Sequence, residues 1–431
     1  MIIFPETSAF INNKSIFKQF DIQKNQNVEY YLYEKFKIRK MKERRIFEKQ
    51  ELTTNYSCGK NEGSLICSLD NEIMTISGSG EMEDYHSSQP WSKSITTLII
   101  ENSVTTIGSY SFYASSKLRQ VTIGNSVKII GVCAFEKCKS LPTLTIGNSV
   151  TQIEYKAFSE CNKLTDLIFG TNVITIGEQA FSMCSNILTL TLGNKVTTIG
   201  DQAFYWCCNM SSLTLGNSVT KIGDSAFYNC SGLTNLTIGN NDITIGNNDI
   251  TIGNDAFRQC LNLANLILGD RVVTIGERSF SQCDELTNLT IGNSISIIEY
   301  SSFSECSKLK NVLIGNNVIT IGEFAFEKCY HIRNIILGNK VTTIGAYAFS
   351  YCNELTDLTL GNSVTTNENS DSIITIGKYA FLECKCLRTL TFGYRYITIE
   401  SGGFSTCHEI TLIIKNTQII GPTDFSNWSS I

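Results

Sequence analysis

One stretch of the sequence decides the fold: Leu141-Pro-Thr-Leu-Thr-Ile-Gly-Asn-Ser-Val-Thr-Gln-Ile-Glu-Tyr-Lys-Ala-Phe-Ser-Glu-Cys-Asn-Lys163. Closely similar units follow one another at a period of 23 residues, and each carries one phenylalanine at the same place. The thirteen phenylalanines are Phe112, Phe135, Phe158, Phe181, Phe204, Phe227, Phe257, Phe280, Phe303, Phe326, Phe349, Phe381 and Phe404. A short unit cannot bury its own apolar face, so the repetition predicts a solenoid of stacked coils.

Each unit has three parts. Residues 143–146 alternate polar and apolar side chains, which predicts a half-buried strand, and Gly147-Asn148 predicts a turn. Residues 150–153 form a second short extended piece, and the spacing of the apolar residues in 157–161 suits one turn of helix. The sequence therefore predicts an α/β solenoid. Each 23-residue unit would contribute one strand of a parallel sheet, a second extended piece and a short helical turn.

Cysteines follow the same period. Twelve of the 17 lie three residues after a repeat phenylalanine: Cys138, Cys161, Cys184, Cys207, Cys230, Cys260, Cys283, Cys306, Cys329, Cys352, Cys384 and Cys407. We interpret them as buried free thiols that form a ladder in the core. Core positions are predicted for the phenylalanine and cysteine of each unit, for example Phe135 and Cys138, Phe158 and Cys161, Phe181 and Cys184, Phe227 and Cys230, and Phe326 and Cys329. The alternative is disulfides between neighbouring units. No Cys-x-x-Cys pair and only three histidines occur, so we expect neither a metal site nor a cofactor.

Three segments are predicted. Residues 1–55 do not repeat and include a basic stretch from Lys35 to Lys49, interpreted as a solvated extension or as a basic helix for anionic lipid or nucleic acid. Residues 56–95 predict a β-hairpin cap that turns at Asp70-Asn71. Residues 96–431 form the solenoid of about 13 units with a degenerate end. Two insertions, near residues 241–254 and 365–372, interrupt it at the same place in the unit.

Composition narrows the function classes. The net charge is only −5, so we expect no nucleic-acid partner. No apolar run has the length of a membrane span, and Met1–Glu6 lack the pattern of a secretory signal. A nucleophile, a base and an orienting group are not found together in the repeats. We therefore expect a non-catalytic protein that binds a protein ligand.

The best binding surface is the outward face of the predicted sheet, where two columns of side chains flank the buried leucine of each strand. The residues singled out in the first column are Asp166, Asn235, Asn265, Asn288, Asn311, Asn334 and Asp357. The second column mixes threonines with the aliphatic residues Ile99, Ile168, Ile267, Leu313 and Ile336. Repeated Thr-Leu-Thr triplets also suggest a remote alternative, an ice-binding solenoid.

The units resemble the BspA-type leucine-rich repeats of surface antigens, with the pattern Leu-Thr-x-Leu-Thr-Ile-Gly-Asn-Ser-Val-Thr-x-Ile-Gly-x-x-Ala-Phe-x-x-Cys. Cys58-Gly59, Met74–Gly80 and Pro90-Trp91 resemble the segment that precedes the repeats in that family, although Cys67 stands where relatives often carry tryptophan. The resemblance implies a leucine-rich-repeat solenoid at the cell surface that adheres to a host, matrix or cell-surface protein. A cytoplasmic leucine-rich-repeat interaction scaffold is the alternative.

Overall fold

The computed structural model describes residues 53–86, 88–91, 93–239, 249–360, 373–393, 396–407, 410–414 and 418–419. The chain divides into the units Met1–Thr54 and Asn55–Ile431, and the first is described only from Thr53 onward. The predicted basic stretch, most of both insertions and the end of the chain lie outside the described residues. The strands that flank the insertions show that both fall in the connection between the two strands of one coil.

One side of the solenoid carries the first strand of each coil. Each described strand pairs in parallel with the equivalent strand of a neighbouring coil. These odd-numbered strands form five hydrogen-bonded groups, namely β5 with β7, β9 with β11, β13 with β15, β17 through β25, and β27 through β31. The strands are β5 (Thr97–Ile100), β7 (Gln120–Thr122), β9 (Thr143–Thr145), β11 (Asp166–Ile168), β13 (Thr189–Thr191), β15 (Ser212–Thr214), β17 (Asn235–Ile238), β19 (Asn265–Leu268), β21 (Asn288–Ile291), β23 (Asn311–Ile314), β25 (Asn334–Ile336), β27 (Asp357–Leu360), β29 (Thr389–Phe392) and β31 (Thr411–Ile414).

A second side carries the second strand of each coil, in two parallel sheets that run from β4 to β20 and from β22 to β32. The strands are β4 (Gly80–Glu81), β6 (Val104–Ile107), β8 (Ile129–Ile130), β10 (Gln152–Ile153), β12 (Thr175–Ile176), β14 (Thr198–Ile199), β16 (Lys221–Ile222), β18 (Ile250–Ile252), β20 (Val272–Ile275), β22 (Ile297–Ile298), β24 (Thr320–Ile321), β26 (Thr343–Ile344), β28 (Ile373–Ile376), β30 (Tyr396–Ile399) and β32 (Gln418–Ile419).

The third side consists of consecutive turns, and the predicted helical turn is wrong. The amides of Lys156, Phe158 and Glu160 donate to carbonyls of the next coil at 2.8–3.0 Å, whereas those of Ala157 and Ser159 donate three residues back. Lys156 and Glu160 also have positive φ angles of 52° and 58°, which an α-helix does not tolerate. The described residues contain no helix, so the chain is a leucine-rich-repeat β-solenoid of about 13 turns and not an α/β fold.

Stacked phenylalanine rings fill the centre of the solenoid. The centroids of neighbouring rings lie 5.0–5.6 Å apart along the whole series from Phe112 to Phe404, with interplanar angles of 1–20°. Trp91 extends the stack at its first end, 5.9 Å from Phe112, and its indole N–H donates to the Ser111 carbonyl. From Phe112 to Phe381, the repeat phenylalanine of each coil therefore packs against an aromatic ring of both neighbouring coils.

The repeat cysteines lie beside this stack. All twelve are free and buried, and each thiol donates to the carbonyl of the phenylalanine in the preceding coil, at sulfur–oxygen distances of 3.1–3.6 Å. The first coil has Ser115 at this position, and its buried hydroxyl has no hydrogen-bond partner among the described residues. The thiols thus act as small buried donors that join coil to coil.

The first described strands form the start of both sides. They are β1 (Thr53–Ser57), β2 (Leu65–Asp70), β3 (Ile73–Gly78) and the short β4. The hairpin β2–β3 turns at Asn71-Glu72, one residue later than predicted, because Asp70 already pairs with Ile73 and Asn71 has a positive φ of 56°. Strand β3 pairs in parallel with β5, and β4 pairs with β6, so this segment forms one additional coil that precedes the first repeat unit.

A disulfide joins Cys58 to Cys67 within this segment, with their Cα atoms 6.1 Å apart. Both residues are fully buried in the core. Cys67, which departs from the family pattern in sequence, is therefore one half of a covalent link that connects β2 to the residue that follows β1.

Candidate binding face

The strands of the first side alternate between outward and inward side chains. In β19, Asn265 and Ile267 are exposed, whereas Leu266 and Leu268 are buried. This period of two is a property of extended backbone, and it separates the binding columns from the core in every coil. Because the strands pair in register, one outward residue of each coil lies beside the equivalent residue of the next.

Five asparagines form a hydrogen-bonded ladder along this face, hereafter the asparagine ladder: Asn235, Asn265, Asn288, Asn311 and Asn334. From Asn265 onward, each amide nitrogen donates to the amide oxygen of the asparagine in the preceding coil, at 2.7, 2.8, 2.8 and 3.3 Å along the series. All five side chains are exposed. The mutual bonds hold the amides in one orientation and leave part of their bonding capacity to solvent.

The remaining capacity can be assigned from the contacts. The amide nitrogen of Asn288 donates a second hydrogen to the preceding threonine, Thr287, at 3.0 Å, whereas that of Asn235 makes its one bond to Thr234 at 3.3 Å. Within the described structure, the other four asparagines of the ladder each donate only once, so each has a second amide hydrogen available to a ligand: Asn235, Asn265, Asn311 and Asn334. An amide oxygen also has a second lone pair. The ladder can therefore both donate to a ligand and accept from it.

An aliphatic column lies beside the ladder on the same face. Ile267, Leu313 and Ile336 are 38%, 46% and 63% exposed, and they are separated from the asparagines by one buried residue of the strand. Apolar side chains beside uncharged amides provide both contact area and hydrogen bonds, as the central part of a binding surface requires.

Asp166 and Asp357 lie outside the ladder. Asp166 is on β11, which pairs with β9, and Asp357 is on β27, which pairs with β29. Each carboxylate accepts a hydrogen bond from the threonine before it, at 2.9 and 2.8 Å. The structure therefore brings five of the seven predicted binding residues into one hydrogen-bonded row. The two aspartates lie on the same side of the solenoid, in other groups of strands.

Charged residues that precede the ladder strands form a rim along one edge of the ladder, which was not predicted from the sequence. Glu354 pairs with Arg333 at 2.5 Å and with His331 at 2.6 Å, and Lys308 pairs with Glu285 at 2.6 Å. Hydrogen bonds from Arg333 first and His331 second hold the pKa of Glu354 below its usual value. The spacing of 23 residues between His331 and Glu354 is the signal that indicates the contact.

The second side of the solenoid is a less versatile surface. Its threonines Thr197, Thr220 and Thr251 donate their hydroxyls to carbonyls of the preceding coil, which uses their only hydrogen. Ile297 and Ile319 are exposed there to 44% and 45%. This side offers aliphatic area without a row of directed amides.

The groups needed for catalysis or metal binding are not brought together in the described residues. Burial raises the pKa of Cys230 well above its usual value and that of Cys260 to about 12, so these two ladder thiols are protonated as well as enclosed. No cluster of three or more His, Cys, Asp or Glu there could hold a metal ion. Among the described residues there is also no helix with the length and apolarity that a membrane span needs.

Comparison with known protein families supports the repeat assignment. A family model described as BspA type leucine rich repeat region matches residues 90–207, 156–250, 250–371 and 368–431, which together cover most of the chain. A search of curated proteins finds no match.

Several solved structures are similar to this chain, and the first of them supports the same fold. A leucine-rich repeat protein from Bacteroides ovatus is 20% identical, with a TM-score of 0.53 over 88% of this chain and 99% of that one. A leucine-rich cell surface protein from Faecalibacterium prausnitzii is 25% identical, with a TM-score of 0.39 over 73% and 96%. The pneumococcal vaccine antigen PcpA is 18% identical, with a TM-score of 0.37 over 88% and 98%.

Proposed function

The chain belongs to the BspA-type leucine-rich-repeat family, and from that premise we propose that it is a non-catalytic adhesion module that presents the outward face of its first side to a protein ligand. The observation that carries the proposal is the asparagine ladder with its aliphatic column. These side chains are exposed, ordered by their neighbours and not required by the core. Extended faces of this kind are the surfaces with which solenoids bind proteins.

We place this module at the cell surface. The resemblance to surface antigens supports that location, and so does the Cys58–Cys67 disulfide, because structural disulfides persist in oxidising compartments. The alternative, a cytoplasmic interaction scaffold, is favoured by the 15 free cysteines. Most of those thiols are buried, so they are protected from oxidation in either compartment. Surface labelling of intact cells separates the two locations, and recovery from the cytosol alone would contradict the proposal.

Binding by the face is tested with a charge-inserting variant, Leu313→Asp/Ile336→Asp, of the full chain. Both side chains are exposed, so the variant is expected to fold, while two carboxylates in the contact area should weaken binding at least tenfold. The matched control is Ile297→Asp/Ile319→Asp, which places the same charges on the second side at similar exposure. Immobilised collagen, laminin and whole cells serve as probes. Equal loss in both variants would refute the assignment of binding to the first side.

A further inference from the structure

The asparagine ladder is the central part of a longer uncharged strip. Between Asp166 and Asp357, the two outward columns of the first side contain only Thr, Ser, Asn, Ile and Leu over seven consecutive coils. The nearest charges lie at one edge of the strip, in paired groups such as Arg333 with Glu354 and in the exposed Lys310 that precedes Asn311. The two columns themselves carry no charge, so a polyanion or polycation would gain no Coulomb attraction from the contact residues, and the strip favours an uncharged ligand.

The width of the strip limits the kind of ligand. Seven strands about 4.8 Å apart and three residues of about 3.3 Å each give an area of roughly 330 Å². One partner of a stable protein–protein complex contributes about 800 Å². A folded protein partner would therefore have to contact residues outside the strip as well, whereas the strip by itself fits a ligand that is one chain thick, such as a chain carried by the protein ligand.

The regular spacing limits the ligand further. The same amide recurs once per coil from Asn235 to Asn334, at the distance between neighbouring strands. An extended peptide returns a side chain to one face only every two residues, about 6.6 Å, and loses register with strands about 4.8 Å apart. An α-helix has a non-integral 3.6 residues per turn, so it does not repeat one contact in each coil. A polymer of identical units, each about as long as one coil spacing, keeps the contact in every coil.

We propose that the asparagine ladder binds an uncharged, unbranched glycan that runs along the solenoid axis with one sugar ring per coil. This inference rests on the proposed function, because it names a ligand class for the same face. Sugar hydroxyls donate and accept as the amides do, and Asn265 and Asn311 are among the amides with an unused hydrogen. Ile267, Leu313 and Ile336 offer apolar area to the C–H face of a ring. The mutual hydrogen bonds orient the amides before binding, which lowers the entropy cost.

The test is affinity electrophoresis of the full chain in gels that contain an unbranched β-glucan, an unbranched mannan or amylose, with heparin as the charged probe. Retardation is expected in at least one neutral gel and not in heparin. The variant Asn265→Ala/Asn311→Ala removes two of the four amides with an unused hydrogen and interrupts the ladder, so it should weaken binding at least tenfold. The matched control is Asn186→Ala/Asn209→Ala, which removes a cross-coil asparagine pair of 2.9 Å outside the strands and should leave binding unchanged.

Four outcomes would overturn the inference: no retardation in any neutral gel, retardation by heparin alone, equal loss in the control, or a self-associated species in sedimentation that the ladder variant dissociates. The last result would assign the strip to a second copy of the chain. Enzymatic removal of glycans from the matrix and cell probes distinguishes this inference from the proposed function. If binding to the probes is unchanged after deglycosylation, the glycan inference is contradicted and the proposed adhesion function stands. If a polysaccharide retards the chain but no protein or cell probe binds it, the adhesion function is contradicted and the glycan inference stands.

Discussion

Removing a fully buried ring from the middle of the phenylalanine stack should cost more than removing a ring that is slightly exposed. Phe280 is fully buried between Phe257 at 5.2 Å and Phe303 at 5.6 Å. Truncation of a buried phenylalanine costs about 3–5 kcal/mol, and two stacking partners place Phe280→Ala at the upper end of that range. Phe404 packs on Phe381 at 5.0 Å but is 5% exposed. We expect Phe404→Ala to cost about 3 kcal/mol, at the lower end of the range, because its site is not fully enclosed.

The assay is urea unfolding followed by circular dichroism, together with hydrogen exchange read by mass spectrometry. Coils interact only with their neighbours, so a defect at Phe280 should divide the transition into two and raise exchange mainly in the adjacent coils. Phe404→Ala should leave a single main transition with faster exchange near the end of the array. A loss at Phe280 that is equal to or smaller than the loss at Phe404, or a uniform rise in exchange, would refute the stacked-coil energetics.

Three further predictions concern cysteine and charge. A thiol reagent at pH 8 should modify exposed Cys386 rapidly and the ladder thiols only after unfolding, when mass spectrometry should count 15 modified cysteines; rapid labelling of the ladder would contradict their burial. Cys67→Ala opens a disulfide of sequence separation 9, worth about 3 kcal/mol, so exchange in β2 and β3 should rise, and unchanged protection would count against the link. Because the pKa of Glu354 is lowered in the folded state, its stabilising contact is fully present above the unfolded-state pKa and is lost as the pH falls through the folded-state pKa. The NMR titration midpoint of Glu354 should therefore rise in the variant Arg333→Ala, and equal midpoints would exclude the pairing.

The 23-residue period predicted the packing well because burial in a solenoid depends on position in the unit alone. Phe158 and Cys161 are buried, and the equivalent residues of the other coils are buried with them. The same spacing misled the assignment of the third side, since residues 157–161 have the apolar pattern of one helical turn. The turns depend on positive φ at Lys156 and Glu160. Neither residue type indicates that conformation, which is stabilised by hydrogen bonds to the next coil.

The binding face was predictable in part for the same reason. The column of asparagines follows from the period, but the sequence does not show where the strands of the first side divide into separate hydrogen-bonded groups, which leaves Asp166 and Asp357 in other groups than the ladder. The Cys58–Cys67 disulfide was also missed, since two cysteines nine residues apart and outside the repeat register have many alternative partners. Contacts within one column are readable from a repeat, whereas contacts between columns require the structure.

The distinction between columns also indicates where function lies. A constant inward residue such as Phe280 is explained by packing, because a smaller side chain leaves a cavity in the core. An exposed residue such as Asn288 has no such constraint, and its column holds five different residue types along the chain. The column is uniform only from Asn235 to Asn334, where each amide bonds to the next. Exposed amide pairs contribute little to stability, so substitutions in this row should leave the fold intact and are suited to test the proposed ligand binding.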